Sequence, residues 1–379
     1  MSGPDYRLLI YTTNPASSGG FGPATLFAEF ENVKNIGYEK HLNEVGSAFA
    51  TINQDDPKLA GLRAHKGKAH GVFLRDDEVV WRGVYGEHDA NATDAILYFY
   101  GYENFLYSLI TDWNTQWSKK QVDDIVTDLW TYGKSTLTYS PIGFVGTGTI
   151  QAPVTTSGGS TAITLPLYRV YNKRILFALK EMAALGTSDT TNTVYFEISY
   201  PKDPTDLSAT FNFWKDKSTD RADVMWEYPN GYIRDFSDGS IPVETRNELA
   251  LVGSAPNDIL LRQRVSKDTG ATGYQLFGRR QEPLYFAWVR DADELARVGA
   301  LRLARAIRAE PDLKVLLYAN GVLPPGVTGS GYTLGDRVRI KIKRGITDFD
   351  QYMFMSGCQV LHIRGQEYVE PWLMDRSGS

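Results

Sequence analysis

Asp55-Asp56 lies in VGSAFATINQDDPKLAGL, residues 45–62, where adjacent carboxylates invite a reading as an acid/base pair. Successive residues of a strand point to opposite faces, so neighbours on regular β structure cannot offer both carboxylates to one substrate. Aspartate before proline is instead a way out of a strand, because Pro57 cannot donate to a ladder and holds Asp56 extended. The pair is read as a strand exit, and Asp76-Asp77 in RDDEVVWRG as the tip of a hairpin. Glu87-His88-Asp89 contains an acid, an imidazole and a second acid. General acid–base catalysis needs groups that converge within hydrogen-bond reach of the reacting atoms. Three consecutive residues just beyond WRGVYG are expected to form a polar turn.

Two glycine motifs imitate nucleotide sites. Gly133-Lys134-Ser135 ends like a phosphate loop, but Asp128 stands where a glycine is needed and the helix comes before the motif rather than after it. GTGTIQ, from Gly146, lacks the third glycine of a dinucleotide fingerprint and leads into no helix. Five histidines, at 41, 65, 70, 88 and 362, and the single Cys358 write no zinc-ligand spacing and allow no intrachain disulfide. Cys358 has no histidine or helix start beside it to lower its pKa and is read as a buried, inert thiol. No catalytic residue, cofactor or metal site is assigned.

The sharpest electrostatic feature is RVRIKIK, residues 337–343. Val338, Ile340 and Ile342 point one way; Arg337, Arg339, Lys341 and Lys343 point the other, and Arg344 follows. Two readings stay open: the solvated face of an amphipathic strand, or a cationic stripe that docks on an acidic partner subunit. These five cations are the candidate interface. Nucleic acid fits less well, because no aromatics interleave on that face and the net charge is −5.

The elements that position these residues follow from composition and period. A chain of 379 residues exceeds one ordinary core and predicts two or three domains. Hydrophobic residues at 42% and charged residues at 22% mark a folded chain, and 22 Tyr with 8 Trp favour strands and sticky surfaces. No apolar run approaches the roughly 18 residues of a membrane helix, and no N-terminal segment resembles a signal peptide. A soluble chain made in the cytoplasm is expected, with no membrane insertion.

Residues 1–117 read as short strands: YRLLIYTT, TLFAEF, SAFATINQ, AHGVFLRD, EVVWRGVYG and AILYFYGY. Their spacing predicts a small barrel or sandwich. Residues 118–189 read as helical. Ser118 and Gln121 form a capping-box pattern, Val122, Ile125, Val126 and Leu129 an apolar face, and Gly133 a stop. A second helix is predicted from about Asn172, with Ile175, Leu176, Leu179, Met182 and Ala183 inward and Gly186 ending it. Between them, residues 143–163 hold 12 Gly, Ser or Thr in 21 positions and read as a long loop, an arm for an adjacent subunit. Residues 190–290 return to strands such as TVYFEISY and YQLFGRR. In 291–379 a helix over 291–310, with Leu295, Gly299, Leu303 and Ile307 on one face, precedes three closing strands. The fold class is mainly β (α+β) with a few packed helices.

Taken in order, these segments resemble the hub (tail-tip) proteins of long-tailed bacteriophages, which include minor tail and baseplate hub proteins. The likeness rests on NEVGSAFATINQDDPKLAGLRAHKGKAHGVFLRDDEVVWRGVYG, YFYGYENFLYSLI and DDIVTDLW near the start. At the end it rests on LARVGALRLARAI and on YTLGDRVRIKIKRGITDFDQYMFMSGCQVLHIRGQEYVEPWLM. The middle matches loosely, through RILFALKEMAAL and DVMWEYPNG. The order of the segments, rather than any one motif, carries it.

The resemblance implies a structural virion protein at the distal tail tip. Two small β-barrel hub domains per chain, around a β-rich middle region, would assemble as a homotrimer with six-fold pseudo-symmetry. Its neighbours would be the distal tail protein or tail tube protein, the tape measure protein and central fibre or tip proteins. DNA would pass without specific binding, along an acidic wall, while the basic strand faces a neighbouring protein. The chain carries no wall-cutting or fibre-binding segment of the kind some relatives append, so those tasks are expected of other polypeptides. Two rival classes remain, a carbohydrate-binding β module and a tail-associated cell-wall hydrolase. Glycan-array binding and a cell-wall zymogram discriminate them. No sequence feature singles out the carboxylate pair that a glycosidase needs.

Overall fold

The computed structural model describes residues 3–15, 21–111, 115–136, 141, 143–152, 162–185, 194–215, 219–238, 246–254, 260–267, 279–286, 289, 292–293, 295–296, 299–300, 303 and 313–374. The period-two pattern of the N-terminal third becomes seven strands: β1 (Tyr6–Pro15), β2 (Phe21–Phe30), β3 (Asn35–His41), β4 (Ser47–Asn53), β5 (Ala69–Arg75), β6 (Glu78–Ala90) and β7 (Asp94–Tyr100). Alternate residues such as Leu8 and Ile10, Ala48 and Ala50, and Leu97 and Phe99 are buried on one face. Asp56 ends the run after β4 as expected: its carboxylate accepts from Lys58 N at 2.9 Å and caps a short 3₁₀ turn over Pro57–Leu59. Asp76 and Asp77, at φ 48° and 67°, form the two-residue turn between β5 and β6 that strand twist favours.

Glu87-His88-Asp89 is not a turn. All three residues lie in β6, opposite Tyr98, Leu97 and Ile96 of β7. A bulge between Tyr85 and Glu87 lets the ladder continue past Gly86.

The middle of the chain builds a second core. It contains α1 (Glu103–Ser108), β8 (Gln116–Gln121), α2 (Val122–Thr131), β9 (Val145–Ile150), β10 (Thr164–Arg169), α3 (Ile175–Leu185), β11 (Val194–Ser199) and β12 (Ala209–Lys215). Val122, Ile125, Val126 and Leu129 are buried there with Leu176, Leu179 and Met182. Four expectations are corrected. Ser118 does not cap α2, because β8 pairs with β10 and sets Ser118 opposite Leu167; Gln121 is the N-cap and makes no side-chain cap bond. Gly133 does not stop the helix, which continues as a π turn over Tyr132–Thr136. The second helix starts at Ile175, three residues later than predicted, after Asn172 in a left-handed conformation. The 143–163 segment is not all loop: β9 runs parallel to β12. Residues 153–161, and Gly186, lie outside the described residues.

Further on lie β13 (Asp220–Tyr228), β14 (Ile233–Asp238), β15 (Glu248–Ser254), β16 (Leu260–Ser266), β17 (Gln281–Phe286) and β18 (Leu313–Leu317). The described residues of 291–310 are helical, and Leu295 and Leu303 enter the second core as predicted. Ile307 and most of YQLFGRR lie outside the described residues. The chain closes with β19 (Arg337–Arg344), β20 (Thr347–Ile363) and β21 (Gln366–Met374).

Strand dominates and helices are few. The main sheet has 11 strands in the order β13-β19-β20-β3-β4-β7-β6-β5-β1-β2, with β21 on β20. The expected pair of closed barrels is corrected, because the path ends at β13 and β2 and, among the described residues, no pairing joins them. The reason is β20. At 17 residues it is long enough to serve both halves, pairing with β19 through Thr347–Phe354 and with β3 through Gly357–Ile363. Gly37 permits this junction: a Cβ there would stand 2.3 Å from the Phe49 ring and 2.8 Å from Leu361, whose side chains close over the bare backbone.

Candidate assembly surface

The basic strand folds as its alternation dictates. Val338, Ile340 and Ile342 are fully buried, and the cations line the other face of β19. The strand is internal to the sheet, parallel to β13 and antiparallel to β20, and both neighbours supply acids. Arg339 grips Asp350 through Nε at 2.7 Å and Nη2 at 2.9 Å. Lys341 Nζ lies 2.7 Å from Glu227, and Arg337 Nη1 3.2 Å from Asp220. Arg344 donates to the Tyr228 hydroxyl, and Lys343 stands opposite Asp348 in register. The Arg339 guanidinium holds the Asp350 carboxyl below the usual carboxylate range, and pairing with Glu227 raises Lys341. Cross-strand partners thus balance the stripe, so this face is a lattice of ion pairs rather than bare positive charge. Exposed pairs of this kind add little stability but fix which side chains a partner meets.

One patch of the other half, across β21, β20, β3, β4, β7 and the end of β6, is rich in acids. Directly opposed residues share a face, which gives the rows Glu370–Gln359–Glu39, Ser47–Tyr100, Phe49–Tyr98–Glu87, Thr51–Ile96–Asp89 and Asn53–Asp94. These rows hold five carboxylates and no lysine or arginine, although Lys34 reaches in from outside them to pair with Asp94. Tyr98 donates to Asp89 at 3.3 Å and Tyr100 to Glu87 at 3.2 Å, orienting the acids across the strands. The sequence lists these acids but gives no sign that they gather on one face, since their pairing partners are distant in the chain.

A buried clamp joins the two ends. Glu367 on β21 accepts from Tyr6 Oη at 2.5 Å and from Arg75 Nε at 2.7 Å and Nη2 at 3.2 Å. Its own amide donates to Asn320 Oδ1 at 2.8 Å. Burial and the Glu367 charge raise the Tyr6 pKa, so the phenol remains a donor. Sequence reading missed all three residues, because 292 positions separate Arg75 from Glu367.

Elsewhere the motifs keep their structural roles. Gly133-Lys134-Ser135 lies in the π turn, and GTGTIQ begins in β9. Cys358 is buried, and burial pushes its thiol up to about 12. Among the described residues no group of three or more His, Cys, Asp or Glu is placed to hold a metal ion, and no helix is long and apolar enough to cross a membrane.

By sequence, no family model and no curated protein matches this chain. By structure the likeness runs end to end. A tail protein from Neisseria meningitidis MC58 superposes with a TM-score of 0.60 at 13% identity, over 98% of this chain and 97% of that one. The 43 kDa tail protein of prophage MuSo2 from Shewanella oneidensis superposes with a TM-score of 0.59 at 11% identity, over 98% of both. The chain shares the fold of these two tail proteins. A chain of the Francisella PdpA–VgrG complex carries a similar arrangement in about half its length, with a TM-score of 0.54 at 10% identity over 99% of this chain and 53% of that one. The shared fold therefore extends through the middle region, where the sequence likeness is loose, as well as the two ends.

Proposed function

We propose that the chain is a structural component of a phage tail tip or baseplate hub. Three copies close into a ring around the tail axis. The ring adapts a six-fold tube to a three-fold tip and forms part of the DNA ejection channel. The observation that carries this reading is the end-to-end likeness to two tail proteins of nearly the same extent, 97% and 98% of which are covered.

Two features of the sheet favour the ring. Its path ends in β2 on one side and β13 on the other, each with one sheet partner among the described residues. Open edges tend to pair, and head-to-tail contacts between copies leave none open only when the rotation closes. The acidic rows give the same sheet a face suited to a bore, because carboxylates repel phosphates and retain no DNA, whereas lysines would hold it. The ion-paired strand at Arg337, Arg339, Lys341, Lys343 and Arg344 is assigned to a neighbouring tail protein. The distal tail or tail tube protein sits on one side of the ring, the tape measure protein within reach, and central fibre or tip proteins on the other side.

Light scattering on the purified protein tests the ring: a mass three times the 42.4 kDa chain is expected. Reconstruction of assembled tails then locates it. A position away from the tail axis, or Arg339 and Lys341 projecting unpaired into the bore, overturns the reading.

A further inference from the structure

A cavity of about 220 Å³ lies where the N-terminal sheet, the start of α1, β11 and the 325–334 segment meet. The cores on either side are apolar, yet this seam is lined by ionisable groups from four elements, with Tyr102 just before α1 among them. Glu39, Lys40 and His41 come from β3, Arg82 from β6 and Glu103 from α1; Glu197 and Tyr200 lie on and just beyond β11, and the 325–334 segment adds no titratable side chain.

Two side chains bridge the seam to the edge of β11 and take the place of a missing strand. Asn43 Oδ1 accepts from Phe196 N at 2.7 Å while Asn43 N donates to Phe196 O at 3.1 Å. Two residues on, Glu103 Oε1 accepts from Ile198 N at 3.1 Å. The asparagine bond cannot titrate, but the glutamate bond can.

Burial makes the charge on Glu103 costly and outweighs the backbone amides of Glu103 and Ile198, which favour it. Glu197 repels it from the next strand position. The one ammonium in the cavity, Lys40, makes no ion pair among the described residues and lies 5.9 Å from the Tyr38 ring. Arg82 is occupied by the carbonyls of Asp203 and Asp206. His41 faces Glu39 at 3.6 Å.

We infer that this cavity is a proton-operated latch between the N-terminal sheet and the middle region. With the Glu103 carboxyl neutral, its carbonyl oxygen holds Ile198 N–H and the seam stays shut. When the proton leaves, the carboxylate draws water into the cavity and the edge of β11 loosens. Burial raises Glu103 from about 4.5 to about 7, so closure weakens across that interval and the change is complete near neutrality. The direction follows from linkage. An acid with a raised pKa in the closed state favours closure fully below its open-state value and loses that preference as pH rises from there to the closed-state value.

Amide hydrogen exchange of the 194–199 segment, corrected for the intrinsic pH dependence of exchange, tests the latch on the full chain. In the wild type, protection at Ile198 falls between about pH 4.5 and pH 7, by up to roughly tenfold per unit for one proton, and levels off above that. Glu103→Gln keeps an acceptor but cannot ionise, and its protection does not change with pH. Glu197→Gln removes the repelling charge, so the fall ends at lower pH and is smaller, which keeps the test open should Glu103→Gln fail to fold. Flat wild-type protection, the same fall in Glu103→Gln, or no movement in Glu197→Gln overturns the latch. The ring is read from mass instead, so the two proposals fail separately.

Discussion

His70 titrates in the opposite sense to Glu103. It is buried with Nδ1 3.0 Å from Tyr102 Oη, and the edges of Tyr102 and Phe144 face its ring. Burial, aided by the Arg82 charge, pushes it down to about 4. A base whose folded pKa lies below its unfolded value contributes stability above the unfolded value and loses it as pH falls through the folded one. For His70 that window runs from about 6.5 down to about 4 and is worth roughly 3 kcal/mol. Over pH 4.5–6.5 the falling His70 contribution and the rising Glu103 contribution oppose each other, so the whole-chain curve conceals both. Single-site variants separate them. The stability lost in His70→Gln, measured by urea unfolding, shrinks as pH drops from 7 to 4.5, because the wild type loses what the variant never had. Cys358 gives a simpler residue-scale outcome. With its thiol raised to about 12 it stays silent to a thiol reagent in the native protein and reacts fully in urea.

At the scale of elements, α2 is where sequence and structure agree most closely, and its packing can be measured. Ile125 is fully buried against the second core. Ile125→Ala deletes buried methyl and methylene groups from a face that α3 covers, at a cost of about 2–5 kcal/mol in denaturant unfolding. That apolar face was legible because a helix writes its burial locally, every three or four residues. The alternation of β19, the Asp56 exit and the Asp76-Asp77 turn were legible for the same reason. The capping pattern at Ser118 misled because β8 pairs with β10, and a ladder outweighs the preference of one hydroxyl. Glu87-His88-Asp89 misled because polar residues on an exposed strand face resemble a turn until the partner strand is known. The junction of β3 with β20 leaves no local mark. Gln359 meets Glu39 across 320 positions, and neither residue's neighbours announce the other. The acidic face and the Tyr6–Glu367–Arg75 clamp are products of that long-range register, so they emerge only from the folded chain.

At the scale of the molecule, the proposed ring can be tested at the two ends of the sheet path, where β2 and β13 each have one sheet partner among the described residues and each carry an exposed apolar residue. Leu26 on β2 is 48% exposed and Met225 on β13 is 39% exposed, on strands at opposite ends of the path. A joint between different edges is heterologous, so it ends only by closing a ring and otherwise propagates as a filament. Lysine on an edge is a common way to block such pairing. Leu26→Lys and Met225→Lys are each expected to lower the mass from three chains to one in light scattering. Both side chains already face solvent in the single chain, so the melting temperature of the monomer stays close to that of a dilute wild-type sample. Either substitution alone suffices, because a ring needs every joint, and the two together add nothing further. That equivalence separates edge pairing from a surface that merely tolerates charge poorly, in which the two effects add. A trimer that survives both lysines places the joint elsewhere and overturns edge pairing.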